Sequence, residues 1–418
     1  MEPEGRDPLL KSRLKLSIGG KTIRLLAPHS VFASGSIDPG TRLLLEHLPP
    51  GAPRSFLDLG CGYGALGLAA AALHPRARGL LVDRDLLAVE FSRRNALENG
   101  LGGVTAAASL GFRDIDPGWG PFDWGLANLP ARVGDRVIGA LLLGGARRLA
   151  PGGEMRVVII APLAAALERT ARERGLECAT AAATGRHVVF AIPPPRAGAA
   201  EPPGTAGDEG DVYERDVIEV PLREGKESLR LSRPTDLADE PHRLLHSIPL
   251  LDESLPAGEP ARVLVFRSGY GLVAALALAR YPSAKVTAVD RDLLAALFTA
   301  RNCEVAGARV RIEATLAHAG APVEGGFDLA LGELSSPLGP AASLAELAAV
   351  RSALAPGGTA LVLGLVKDWR AYLREAAGSL GLRLVASRGP SGLYGIEAWG
   401  PGRFPLARRA CPPHRDGR

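Results

Sequence analysis

The chain has 418 residues, 46% of them hydrophobic, and its 49 lysines and arginines against 45 acids leave a net charge of +4. These values exclude a wholly disordered or collagen-like chain, and at roughly 150 residues per domain they ask for two or three domains. The weak positive bias permits a nucleic-acid partner without demanding one. No apolar run approaches the ~18–20 residues of a membrane helix, and the first residues carry no secretory pattern. A cytoplasmic protein with no membrane partner is therefore expected. Cys61, Cys178, Cys303 and Cys411 stand more than a hundred residues apart, so neither a metal site nor a disulfide framework is expected.

In chain order, Ser55–Leu59 reads as a short apolar strand running into a glycine turn, and Ala65–Leu73 as a helix. Gly79–Val82 reads as a strand and Asp85–Glu98 as a helix with apolar residues at helical spacing. Phe122–Ala127 reads as a strand, Gly134–Leu149 as a helix and Glu154–Ile160 as a strand, with Pro151-Gly152-Gly153 ending the helix and turning into that strand. Residues 178–183 and 187–192 suit a closing hairpin. Strands alternating with helices predict an α/β fold with a doubly wound, mostly parallel sheet.

Pro193 to Gly210, PPPRAGAAEPPGTAGDEG, cannot bury a core and reads as a linker. The halves it separates are related. Residues 57–95 align with 264–302 at an offset of 207 without a gap, and 18 of the 39 positions are identical. DRDLLA at Asp83–Ala88 returns at Asp290–Ala295. The chain therefore reads as a duplication: a domain at 1–192, a Pro/Gly-rich linker at 193–212, a second domain at 213–402 and a basic tail at 403–418. The tail suits RNA phosphates, or is simply disordered.

Asp58-Leu59-Gly60-Cys61-Gly62-Tyr63-Gly64 follows the first strand and opens a helix. In an open parallel sheet this is the binding crevice, and glycines let a ligand approach the backbone. Asp83, followed by Arg84 at the end of the next strand, is placed to accept hydrogen bonds from ribose hydroxyls, so the ligand is of adenosine type. Gly60-x-Gly62-x-x-Ala65 satisfies a loose dinucleotide fingerprint. Three features favour S-adenosylmethionine instead. Asp58 is an acid on the strand itself, suited to a methionyl ammonium. The spacing Gly60-x-Gly62-x-Gly64 fits a methyltransferase loop better. Asn128-Leu129-Pro130 then ends the fourth strand beside the crevice.

With these motifs the first half, over nearly all of residues 20–192, resembles the "methyltransferase small" domain of tandem-domain ribosomal RNA guanine-N2 methyltransferases, the RsmC-like group. The resemblance implies two tandem Rossmann-like class I methyltransferase domains, S-adenosylmethionine as cofactor, and ribosomal RNA or a ribosomal subunit as partner. Val31 to Leu44 is similar to the family's segment before the first strand, which implies that Phe32, Asp38 and Thr41 help close over the cofactor. Read from the residues alone, Asp38 can equally be the start of a core helix at Thr41–Leu48. The family's fourth strand ends in Asn-Pro-Pro, whose Asn side chain and following carbonyl accept hydrogen bonds from an exocyclic amine. Asn128, Pro130, Arg132 and Gly134 match its Asn-Pro-Pro-Ile-Arg-Ala-Gly variant. Leu129 replaces the first proline, Ala131 offers no stacking face, and Ser109 stands where the third-motif acid belongs. Asn128 is read as a positioning residue, with a strand-end cap as the alternative. Arg132 suits a base, a phosphate or solvent equally.

In the second half Val265 replaces Asp58, Arg267 replaces Gly60 and Ser268 replaces Cys61, while Gly269, Tyr270, Gly271 and Asp290 remain. Glu333-Leu334-Ser335-Ser336 stands where Asn128-Leu129-Pro130-Ala131 stands in the first. This half is expected to fold without binding cofactor. An arginine at the Gly60 position would fill the crevice, with strain if that glycine needs positive φ. The resembled family usually carries its intact copy second, whereas here it comes first. The expected activity is methylation of an exocyclic amine, guanine N2 of ribosomal RNA. A protein or small-molecule methyltransferase and a non-catalytic RNA-binding factor are the alternatives.

Overall fold

The computed structural model describes residues 7–196, 209–222, 228–237, 245, 247–305, 310–314, 325–333, 339–365, 380–388 and 391–397. The basic tail and residues 197–208 of the linker lie outside them. The chain separates into two compact units, Met1–Arg215 and Asp216–Arg418.

The first unit begins with an antiparallel hairpin, β1 (Leu10–Ile18) and β2 (Lys21–Pro28). Gly19 and Gly20 both take positive φ, 52° and 72°, as a tight turn of this hand requires. There follow α1 (Pro39–Glu46), β3 (Ser55–Leu59), α2 (Ala65–Leu73), β4 (Arg78–Asp83), α3 (Leu86–Glu98) and β5 (Val104–Ala108). β6 (Phe122–Asn128), α4 (Gly134–Arg147), β7 (Leu149–Ile160), α5 (Ala164–Glu173), β8 (Ala179–Ala183) and β9 (His187–Ile192) complete the unit. The seven-stranded sheet runs β5-β4-β3-β6-β7-β9-β8, parallel except for β9 against its two neighbours. β3 is buried along nearly its whole length, as a central parallel strand covered on both faces must be. α2 is almost all alanine and leucine and lies in the core.

The second unit repeats this order. A hairpin, β10 (Glu214–Pro221) and β11 (Ser228–Pro234), precedes α6 (Ile248–Ser254), β12 (Arg262–Phe266), α7 (Leu272–Arg280), β13 (Lys285–Asp290), α8 (Leu293–Val305) and β14 (Arg311–Ala314). β15 (Phe327–Glu333), α9 (Pro340–Ala353), β16 (Leu354–Leu365), β17 (Arg383–Arg388) and β18 (Ser391–Glu397) follow. The sheet order, β14-β13-β12-β15-β16-β18-β17, is the order of the first unit.

One expectation is corrected. Pro151-Gly152-Gly153 does not turn a helix into a new strand. α4 stops at Arg147 and the proline and glycines lie inside β7, where the pairing with β6 shifts register between Phe122 and Trp124. The N-terminal hairpin was not anticipated, although Leu14, Leu16, Ile18, Ile23 and Leu25 alternate about Gly19-Gly20.

A few side chains tie these elements together, and they do so twice. Fully buried Asn95 donates to Leu26 O (2.9 Å) and Tyr63 O (2.8 Å) and accepts from Leu26 N (2.7 Å), fastening β2 to α3 and to the glycine turn. Asn302 makes the corresponding bonds to Ser232 and Tyr270. Asp123 accepts from the backbone N–H of Arg54 and Ser55, and Asp328 from those of Ala261 and Arg262. Replacing Asn95 with alanine leaves three buried backbone groups without these partners, and we expect a loss of about 2–4 kcal/mol. Denaturant unfolding of the full chain checks it.

Candidate active site

The glycine turn is held from several sides. Gly60 N–H and Cys61 N–H both donate to Val82 O, at 2.9 and 3.0 Å. Gly62 N–H donates to Asp83 Oδ2 at 2.9 Å, while Asp85 N–H donates to Asp83 Oδ1 at 2.9 Å. Ser92 Oγ donates to Gly62 O at 2.8 Å. Gly60 and Gly62 take φ of 73° and 56°, and a Cβ added at Gly60 would meet nothing within 4 Å. The turn therefore offers an open concave stretch of backbone. Cys61 is buried, and burial pushes its thiol well above the ordinary range, so it contributes backbone and shape rather than a nucleophile.

Asp58 and Asp83 are the electrostatic centre. Asp58 is fully buried; its Oδ2 accepts from Gly67 N–H at 2.8 Å, and its Oδ1 has no hydrogen-bond partner among the described residues. Burial raises its pKa to about 7, against the Gly67 bond, with the nearby Asp83 charge adding to the rise. Burial also raises Asp83, opposed by the N–H groups of Asp85 and Gly62. A buried carboxylate oxygen without a donor is costly unless a cation offsets it. The pair is suited to a ligand carrying a positive group and hydroxyl donors.

Across the crevice, α1 and the end of β6 meet. Asp38 caps α1, its Oδ2 accepting from Thr41 N–H at 2.9 Å, so the helix-start reading is correct. The same oxygen accepts from Asn128 Nδ2 at 2.9 Å, and Thr41 Oγ1 accepts from Asn128 Nδ2 at 3.1 Å. A carboxylate cannot donate, so the amide nitrogen must face Asp38. Asn128 thereby spends both of its N–H groups on α1 and keeps Oδ1 as an acceptor. The structure thus brings Asp38, Thr41 and Asn128 together, and Asp58, Gly60, Gly62 and Asp83 together.

The remaining residues are more scattered. Leu129 is buried and its N–H donates to Val158 O, so it anchors the strand end; Pro130, Ala131 and Arg132 are exposed. Ser109 is buried and its hydroxyl bonds Gly111 O and Asp114 N–H, holding residues 109–114 as a turn. Arg84 is half-buried beside Asp83. Phe32 is 71% exposed, between Ser30 and Ala33, which both take positive φ without being glycine. Sequence reasoning missed Ser92, Asn95 and Gly67, though each of the first two has a counterpart in the duplicate, Thr299 and Asn302.

Residues 22–191 match the model of the methyltransferase small domain. Over these residues the first domain is similar to that family. Its members are class I S-adenosylmethionine-dependent methyltransferases. The chain is 37% identical over 146 residues to the ribosomal RNA small subunit methyltransferase C of Salmonella choleraesuis, covering 34% of this chain and 41% of that one. It is 33% identical over 200 residues to the ribosomal RNA large subunit methyltransferase G of Shewanella sediminis, covering 45% and 47%. The chain thus spans less than half the length of these curated relatives. A solved structure, the T. thermophilus 16S rRNA N2 G1207 methyltransferase in complex with AdoMet and guanosine, superposes with a TM-score of 0.68 over 94% of this chain and 99% of that one. At 18% identity that likeness establishes the class I fold with its tandem arrangement.

In the second copy the same place is filled. Arg267, at the Gly60 position, takes a φ of 52°, and its Nε bridges both carboxylate oxygens of Glu346 on α9 at 2.8 and 3.0 Å. Both residues are buried. Buried Val265 stands at the Asp58 position, while Asp290 still accepts from Gly269 and Asp292 N–H.

Two outcomes follow. Asp58 binds its proton more tightly folded than unfolded, since its pKa rises from 3.8 to about 7. The native state therefore carries the extra proton between those values, and stability falls as pH rises through that window and levels above it. Asp58→Asn should remove a slope of up to about 1.4 kcal/mol per pH unit, read by denaturant unfolding across pH. Glu346→Leu, which leaves a buried guanidinium without that carboxylate, should lower stability by about 3–5 kcal/mol in the same assay.

Proposed function

We propose that this chain is a cytoplasmic S-adenosylmethionine-dependent methyltransferase whose acceptor is an exocyclic amine, guanine N2 of ribosomal RNA. The observation that carries the reading is the Asn128 amide, whose two donors are tied to Asp38 and Thr41 so that Oδ1 is the group an incoming N–H meets.

When bound, the cofactor supplies an electrophilic sulfonium methyl group. Asp83 keeps lone pairs for the ribose hydroxyls beyond those taken by Gly62 and Asp85 N–H. Asp58, with an oxygen that lacks a donor, brings negative charge toward the methionyl ammonium. Gly60, Cys61, Gly62 and Gly64 give the backbone approach, and Phe32, Asp38 and Thr41 are assigned to closing over the cofactor. Arg84 adds a positive charge beside Asp83, and Ser109 holds the adjoining turn in shape.

Asn128 Oδ1 and the carbonyl after it accept the two amine hydrogens. An amine held this way turns its lone pair out of the plane of the two hydrogen bonds, which is the alignment that methyl transfer needs. Positioning of this kind supplies most of the rate, and no strong base is called for. Pro130 stiffens the turn, and exposed Arg132 is placed for a base or a phosphate.

The second half is proposed to bind no cofactor, because a valine replaces the acid and an ion pair occupies the place of the open turn. Its part in the reaction is to hold RNA.

The test is transfer of a tritiated methyl group to ribosomal subunits from a strain lacking this gene, followed by nucleoside digestion. Label in N2-methylguanosine is expected; label in the protein fraction, or none at all, sinks the reading. Asn128→Ala should lower turnover by ~100-fold while cofactor affinity stays unchanged. Normal turnover in that variant removes Asn128 from the mechanism.

A further inference from the structure

The first hairpin carries a charge that its duplicate lacks. Residues 10–28 hold Lys11, Arg13, Lys15, Lys21 and Arg24 and no acid. Three of the six lysines of the whole chain are here. Residues 214–234 hold Arg215, Arg223, Lys226, Arg230 and Arg233 against Glu214, Asp216, Glu219, Glu224 and Glu227, and so cancel. Among the described residues of that second hairpin Arg233 pairs with Asp216 at 2.6 Å.

Among the described residues the first hairpin's cations make no such pair. All five are exposed. The register sets Lys15 opposite Arg24 and Arg13 opposite Leu26. Arg13, Lys15 and Arg24 therefore share the outer face, while Leu16, Ile23 and Leu25 take the buried one. Lys11 extends that face at the bulge where β1 begins, between Leu10 and Ser12. Like charges directly opposite on a strand pair cost stability. Folding does not require them, since the duplicate hairpin forms with its charges balanced. Alternate strand residues stand about 6.8 Å apart, a spacing close to that of phosphates along an extended nucleic-acid strand.

The face also leads to the crevice. Lys11 Nζ donates to Ser34 Oγ at 3.0 Å, and Ser12 Oγ donates to Ser34 O. Three residues earlier, Val31 lies against the glycine turn, 3.8 Å from where a Cβ of Gly62 would be. Four residues later comes Asp38, which holds Asn128.

We propose that the outer face of this hairpin, formed by Lys11, Arg13, Lys15 and Arg24, holds the phosphate backbone of the RNA whose base is presented at Asn128. This rests on the RNA methyltransferase reading above and names the surface that would deliver the acceptor. Each phosphate neutralised releases counterions, so affinity falls with salt in proportion to the contacts made.

The experiment measures binding of the full chain to a fluorescently labelled small-subunit ribosomal RNA fragment over a range of salt, by anisotropy. The triple variant Arg13→Ala/Lys15→Ala/Arg24→Ala should bind at least ~10-fold more weakly, with a log–log salt slope shallower by about 2. Its adenosylhomocysteine affinity should not change, and its melting temperature should not fall. Lys15→Glu alone, at an exposed site, should weaken RNA binding in the same direction. Arg215→Ala/Arg230→Ala in the duplicate hairpin should leave it unchanged. Wild-type affinity and slope in the triple variant overturn the proposal. So does a loss confined to vesicles of phosphatidylserine and phosphatidylcholine with RNA binding intact. If the unaltered chain methylates RNA and the triple variant does so with the same KM, the surface falls and the reaction stands. If RNA binding depends on the hairpin but no methyl group is transferred, the reaction falls and the surface stands.

Discussion

Both copies hang the glycine turn from a carboxylate at the end of the second core strand. Asp83 takes the N–H of Gly62 on one oxygen and that of Asp85 on the other, so one side chain joins the turn after β3 to the start of α3. Burial works against this by favouring the protonated acid, and two charge-assisted hydrogen bonds are what keep it a useful acceptor. The position of the turn then fixes where α2 begins, and it sets Tyr63 O where Asn95 can reach it. Through Asn95 the constraint passes to Leu26 and the hairpin. Scaffold and crevice are thus one network of hydrogen bonds.

The duplication separates what serves the scaffold from what serves chemistry. Asp290 repeats both bonds of Asp83, and Asn302 those of Asn95, in a copy whose crevice is filled. An acid at this position therefore holds the glycine turn in both copies. The residues that differ are Asp58 against Val265 and Gly60 against Arg267: Asp58 also holds Gly67 N–H in α2, but its other oxygen has no partner among the described residues, and Gly60 leaves open the position that carries a buried arginine in the second copy.

The apolar pattern was enough to read β3, β4, β6 and β7 with α2, α3 and α4, and the recurring sequence was enough to read the repeat, whereas β5 and α5 were not read. Other features needed the third dimension. Asp38 and Asn128 are 90 residues apart, and nothing in either local pattern says that one oxygen serves both the Thr41 N–H and the Asn128 amide. Glu346 as the partner of Arg267 is equally non-local, 79 residues on. Pro151-Gly152-Gly153 misled because a turn signal is also a bulge signal when both flanks are strand. The N-terminal hairpin had its signal in the Gly19-Gly20 turn between alternating leucines and isoleucines.

The left-handed arginine also bears on descent. A reversion of Arg267 to glycine would relieve the backbone, yet it would strip Glu346, fully buried, of a guanidinium nitrogen that donates to both its oxygens. A reversion of Glu346 alone would bury the arginine's charge without that carboxylate. Each single change toward the first copy's pattern passes through a less stable protein, and both together still leave Val265 where the first copy has Asp58. The ion pair works as a ratchet that holds the second copy away from the open glycine turn of the first.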